Sequence, residues 1–235
     1  MKPFFENELI KIYLGDCRDI LPTQRFENFS LITDPVWPNA LVQLKGSDRP
    51  QELLAEMFTS LPRLPDRAAI HLGTNSDPRF LSSVPSALPF FRTAWLRYSC
   101  PSRRGRLLQG ADTAYLFGNP PKSKPGARVI PGEVNAATAG RETLHPCPRK
   151  LKHCSWLINW WSESEDVIVD PFCGSGTTLL AAYEHGKKAV GIEIEERYAE
   201  MAAGRFSQMN IFAALACDSL PNALGIELGD RLSPA

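Results

Sequence analysis

The residues Asp170-Pro171-Phe172-Cys173-Gly174-Ser175-Gly176-Thr177-Thr178 bring together an acid, two close glycines and several hydroxyls. They follow an apolar run, Val167-Ile168-Val169, and precede a helical pattern from Leu179 to Tyr183. Glycines between a strand and a helix let the backbone turn tightly and approach a ligand closely. The free N–H groups at the helix start then face that ligand. No lysine follows the glycines, which excludes a P-loop. Leu179 stands where a dinucleotide fingerprint would have its third glycine, which argues against a pyrophosphate cradle. A second apolar run ends in Glu193, 17 residues after Gly176. An acid at that place suits the two hydroxyls of a ribose, although a strand-end glutamate can also be a plain surface acid. The pattern therefore calls for a cofactor that carries a nucleoside.

The combination D-P-F-x-G-S-G-T-T with G-I-E resembles the S-adenosylmethionine site of the amino-methylating DNA methyltransferases. A third segment sharpens the resemblance. Leu31-Ile32-Thr33-Asp34-Pro35-Val36-Trp37 is an apolar run ending in Asp-Pro-x-aromatic, which looks like the D-P-P-Y catalytic tetrapeptide of that family. Catalytic motif first and cofactor motif last is the order of its beta group. Gly15-Asp16 after an early apolar run, and His145-Pro146 ahead of a helical pattern, fit the same order.

The resemblance implies methyl transfer from S-adenosylmethionine to an exocyclic amine of a base flipped out of DNA. Such an amine is a poor nucleophile, because its lone pair is delocalised into the ring. Asp34 and the carbonyl of Pro35 would accept its two hydrogens, and Trp37 would stack the base. Proline stiffens this loop by fixing φ. The cofactor would lie among Asp16, His145, Asp170, Phe172, Gly174, Ser175, Gly176, Thr177 and Glu193. An aspartate at the head of the tetrapeptide favours adenine N6 over cytosine N4. The reaction needs orientation and electrostatics, not a covalent nucleophile, so Cys173 in the turn reads as packing. Two departures from the pattern stand out. Val36 replaces the second proline, and Arg149-Lys150-Leu151 stands where Lys-Pro is usual. Val36, together with the small recognition loop, leaves open a rival from another class, a cofactor- and DNA-binding accessory protein without catalysis. Each residue also has a plainer role available: Asp34 or Asp16 as a helix cap, Trp37 as a core aromatic.

These motifs need a frame to hold them. The expected elements are strands near 10–14, 29–33, 67–72, 166–170 and 188–192. Helices are expected after Asp16, at about 50–60, 150–162 and 177–185, and at 195–208. Strands at about 91–98 and 112–117 flank Pro101 to Arg106 as a hairpin. Strands alternating with helices predict an α/β, doubly wound, mostly parallel sheet with an antiparallel edge hairpin. With the resemblance, this is the Rossmann-like fold of the S-adenosylmethionine-dependent methyltransferases. A length of 235 residues suits one methyltransferase domain, 1–235. The Pro-, Gly- and Ala-rich stretch 119–144 reads as a structureless loop, and the resemblance makes it a short target-recognition loop.

The charges sum to zero, but they are segregated. Residues 90–154 hold 12 Lys or Arg against 3 Asp or Glu, whereas residues 155–235 hold 5 against 12. A basic segment can track a phosphate backbone, and Arg97, Arg103, Arg104, Arg106, Lys122, Lys124 and Arg128 are the candidate DNA contacts. His71 and His185 read as surface or strand-end histidines. The spacing of His145, Cys147, His153 and Cys154 matches no usual zinc site, so no metal is expected. Six scattered cysteines suggest reduced thiols and a cytoplasmic setting, with a bacterial or phage source implied by the family. No apolar run is long enough for a membrane span. A stand-alone methylase is expected, not one fused to a nuclease, and the small recognition surface leaves room for a homodimer.

Overall fold

The computed structural model describes residues 1–38, 45–122, 129–136 and 149–207. Its frame is a nine-stranded sheet. The strands are β1 (Phe5–Glu6), β2 (Ile10–Leu14), β3 (Phe29–Thr33), β4 (Arg67–Leu72), β5 (Phe90–Arg104), β6 (Leu107–Gly118), β7 (Glu133–Ala136), β8 (Val167–Asp170) and β9 (Ala189–Glu193). The helices are α1 (Cys17–Ile20), α2 (Pro50–Ser60), α3 (Leu151–Trp161) and α4 (Thr177–Glu184), with α5 over 196–207.

The strand order is β1-β2-β9-β8-β3-β4-β6-β5-β7. From β2 to β4 every neighbouring pair is parallel, and β6 then runs antiparallel to β4 and β5. The doubly wound expectation is met. All residues of β3, β4 and β9 are buried, as central strands covered on both faces must be. On one face Leu54, Met57 and Phe58 of α2 pack with Ile20 and Leu21. On the other, Leu157 and Trp161 of α3 and Ala181 and Ala182 of α4 form the second core, with α5. Helix α2 follows from its sequence: Pro50 opens it, Glu52 sits in the first turn, and the buried residues recur at helical spacing.

Three expectations are corrected. The hairpin is much longer than expected, because β5 and β6 stay paired as far as Arg104 and Leu107, after a register shift between Arg97 and Ser102. Pro101 and the arginines look like loop residues, yet they lie in this twisted two-stranded arm. The stretch 119–144 is not structureless throughout. Residues Glu133–Ala136 form β7 on the edge of β5, burying Val134 and Ala136 in alternation. Finally, His71 lies near the end of β4, as one of its two readings had it, but it is no surface group: it is buried, with Nε2 3.2 Å from Asp112 Oδ2.

Candidate functional site

The chain leaves β3 towards α2 on one face of the sheet and leaves β8 towards α4 on the other. The boundary between β3 and β8 is therefore the switch point of the sheet, where a crevice must open at the carboxyl ends of the strands. Asp34 follows β3 and Asp170 ends β8 at this boundary. The hydroxyl of Thr33 donates to Asp170 Oδ1 at 2.7 Å and ties the two strand ends together. Gly15-Asp16 after β2 and Glu193 at the end of β9 complete the row. A cavity of about 380 Å³ lies over these ends, and Asp16, Asp34, Trp37, Phe172, Gly174 and Glu193 all line it.

The glycine turn is built by close packing. Gly174 has φ 52° and donates its N–H to Glu193 Oε2 at 2.9 Å. The other carboxylate oxygen of Glu193 accepts from the N–H of Glu195 at 2.8 Å. A carboxylate has about four lone-pair positions, so both oxygens can accept further donors. Gly176, at φ 80°, precedes α4. A Cβ there would meet Ala202 Cβ of α5 at 2.9 Å, so Gly176 serves packing and does not line the cavity. Gly191, in β9, is needed for the same reason, since a Cβ there would come within 2.6 Å of Leu179. A glycine inside an apolar strand was the available signal for that close approach.

The lining is rich in acceptors. Burial pushes the Asp170 carboxyl up to about 7, against the hydrogen bonds from Thr33, Thr178 and the Phe172 N–H. Burial also raises Glu193 above the ordinary carboxylate range. Asp16 is held below it by its hydrogen bonds with Arg18. It caps α1 through the Arg18 N–H at 2.9 Å and lines the cavity as well, so its two readings are compatible. Cys173 is buried, and burial pushes its thiol well above the ordinary value, in keeping with packing.

Trp37 is half-buried beside the cavity, and Pro35 is buried. Ser175 and Thr177 also line the pocket, at the start of α4. His145, Lys124 and Arg128 lie outside the described residues. Arg97 and Arg103 are exposed on β5, Arg104 ends that strand, and Arg106 is exposed in the turn after it. Because Leu72 pairs with Thr113, everything between Arg97 and Ala111 overhangs the carboxyl edge of the sheet, where the cavity opens. Lys122 does not join them. It lies beyond Gly118, which pairs with Arg67 at the opposite edge, and its N–H donates to Glu163 at 2.6 Å.

Sequence reasoning missed a buried charge network in the pocket. Arg149, just ahead of α3, donates through Nη2 to Asp34 Oδ1 at 2.6 Å and through Nε to Asp34 Oδ2. Its Nη1 donates to Asp112 Oδ2 at 2.7 Å. His71 and the Tyr98 hydroxyl also reach Asp112. Burial opposes ionisation of Asp112, but these donors outweigh it and hold the carboxyl well below its usual range. Asp34 and Arg149 are 115 residues apart, so no local pattern could join them.

Comparisons with known proteins agree with this geometry. A family model described as DNA methylase, of the N6/N4 type, matches residues 103–204. The type II methyltransferase M.ScaI of Streptomyces caespitosus is 46% identical over 63 residues, 27% of this chain and 21% of that protein. The orphan methyltransferase M.BamHII of Bacillus amyloliquefaciens is 42% identical over 63 residues, 26% of this chain and 23% of that protein. The matched stretch thus spans under a quarter of the length of either relative. Among solved structures, the M1.HpyAVI–SAM complex superposes with a TM-score of 0.66 at 22% identity, covering 84% of this chain and 99% of that one. The cytosine-N4-specific PvuII DNA methyltransferase gives 0.65 at 19%, covering 87% and 89%. At such identities the structural likeness speaks for the fold alone.

Proposed function

We propose that this chain, which carries the domain of the amino DNA methyltransferases, methylates an exocyclic amine of a flipped-out DNA base, with adenine N6 favoured. The observation that carries this reading is convergence. Asp34 and Trp37, placed early in the chain, and the glycine turn with Glu193, placed late, line one cavity at the switch point of the sheet.

The cavity suits S-adenosylmethionine by the chemistry of its walls. Phe172 and Ile194 offer apolar faces for an adenine ring, Glu193 offers acceptors for ribose hydroxyls, and Asp16 offers a carboxylate for an ammonium group. Gly174 brings backbone close to that space. When bound, the cofactor supplies an electrophilic methyl group on a sulfonium.

The chain's own residues do the rest. A carboxylate oxygen of Asp34 accepts one amine hydrogen and the Pro35 carbonyl accepts the other, which leaves the nitrogen lone pair directed at its target. Trp37 holds the base plane by stacking, as flipped bases require. Phe172 and the surrounding apolar wall exclude water, which strengthens these hydrogen bonds. The long β5–β6 arm runs past the carboxyl edge of the sheet, the edge that carries the cavity, with Arg103 and Arg106 exposed, in position to meet phosphates. The 119–144 segment completes target recognition in this reading.

The test incubates the purified chain with unmethylated genomic DNA and methyl-labelled S-adenosylmethionine, followed by nucleoside identification by mass. N6-methyladenine is the expected product, and Asp34→Ala should lower the rate by about 10²-fold or more. N4-methylcytosine would keep the mechanism and overturn the choice of base. No methylated nucleoside, with cofactor binding intact, would favour the non-catalytic accessory role or an RNA substrate.

A further inference from the structure

The guanidinium of Arg149 already makes two of the contacts that the proposed reaction asks of the target base, one with Trp37 and one with Asp34. It is a flat group lying 4.5 Å from the centre of the Trp37 ring. It donates N–H groups to both oxygens of Asp34, one of them at 2.6 Å. A base stacked on that side of Trp37 with its amine on Asp34 needs the same space and one of the same oxygens. The two groups cannot occupy the pocket together.

We propose that Arg149 is a base surrogate that determines which bases gain the pocket: the target base must take over both Trp37 and Asp34, while Arg149 falls back on Asp112. The inference rests on the reading of Asp34 and Trp37 as the base-binding pair. Asp112 makes the displacement workable. It already accepts from Arg149 Nη1 at 2.7 Å, and its carboxylate is buried among His71 and Tyr98. An arginine that left for water would abandon this buried charge, which is costly, so the side chain pivots on Asp112. The base that displaces it must replace charge-assisted hydrogen bonds, the stronger kind. A base that stacks but brings a carbonyl to Asp34 cannot do so. Adenine and cytosine, which bring an amine, can. Arg149 thus adds a threshold to the selection made by Asp34 itself.

The test needs neither the DNA target sequence nor methyl transfer. Binding of 2′-deoxyadenosine and 2′-deoxycytidine is titrated by ligand-observed NMR against the wild-type chain, Arg149→Ala, Arg149→Lys and Arg149→Ala/Trp37→Ala. If the arginine leaves the pocket free about a tenth of the time, its removal tightens apparent nucleoside binding about tenfold. Arg149→Lys keeps a charge near Asp112 but cannot span both Asp34 oxygens or lie flat on the indole, so it should fall between wild type and alanine. The gain in Arg149→Ala should vanish with Trp37→Ala. The proposal is overturned if Arg149→Ala binds no more tightly than wild type, or if its gain survives loss of Trp37. Should Arg149→Ala fail to fold, Arg149→Lys binding equal to wild type overturns it alone. A chain that gains nucleoside binding but methylates nothing would sink the enzymatic reading and leave this one standing. A chain that methylates DNA without the gain would do the reverse.

Discussion

Asp170 makes the site sensitive to pH in a way that one residue can reveal. Burial raises its carboxyl to about 7 in the folded protein, whereas an unfolded aspartate titrates near 3.9. Between these values the folded state holds a proton that the unfolded state has released. Stability therefore falls as pH rises through that window and levels off above it. The contribution is roughly 4 kcal/mol at most, three units at about 1.36 kcal/mol each. Asp170→Asn keeps an oxygen for the Thr33 hydroxyl and should flatten the decline in denaturation midpoints between about pH 4 and pH 7. An unchanged pH profile in that variant would refute the assignment. Asp34, Trp37 and Glu193 were legible in the sequence because each sits in a short segment at a strand end, where local spacing carries the information. Arg149 and Asp112 were not, since their meaning arises only when segments 37 residues apart meet over a third, at Asp34.

Among the elements, the core strands announced themselves by mainly apolar runs, interrupted at Lys11 in β2, Ser30 in β3 and His71 in β4, and α2 by its period. The β5–β6 arm did not. Pro101, Ser102 and Gly105 carry turn chemistry, and the exposed Leu107 and Leu108 have no buried face to set a period of two. Only the ladder continuing from Asp112 back to Leu107 turns that stretch into strand. The opposite edge of the sheet has a structural tie instead, where Arg67 and Ser30 both donate to buried Asp166 at 2.6 Å. In the proposed function the arm, and not Lys122, therefore meets DNA. Arg103→Ala/Arg106→Ala should weaken DNA binding across all sequences. It should also lower the slope of log K against log salt by up to about 2, at roughly 0.9 for each phosphate that is no longer neutralised. A slope equal to that of wild type would remove the arm from the interface. The same measurement on Lys122→Ala should show no change.

At the scale of the whole molecule, the pocket exists only when the sheet is complete. Asp16 follows β2, Asp34 follows β3, the glycine turn follows β8 and Glu193 ends β9, so residues 16 to 193 must be folded together before the walls meet. An unfolded chain offers no such site. A ligand of the cavity therefore stabilises the fold by mass action, by about 2.7 kcal/mol at a hundred times its dissociation constant. For a chain of this size that corresponds to a rise in melting temperature of roughly 5–11 °C. S-adenosylmethionine should produce such a rise in the wild-type chain. Glu193→Ala should lose most of it, because its carboxylate both faces the cavity and accepts the Gly174 N–H that closes the turn. Asp34→Ala should keep it, since Asp34 is assigned to the base and not to the cofactor. Loss of the shift in Asp34→Ala with retention in Glu193→Ala would mean that the two halves of the cavity have been assigned the wrong way round.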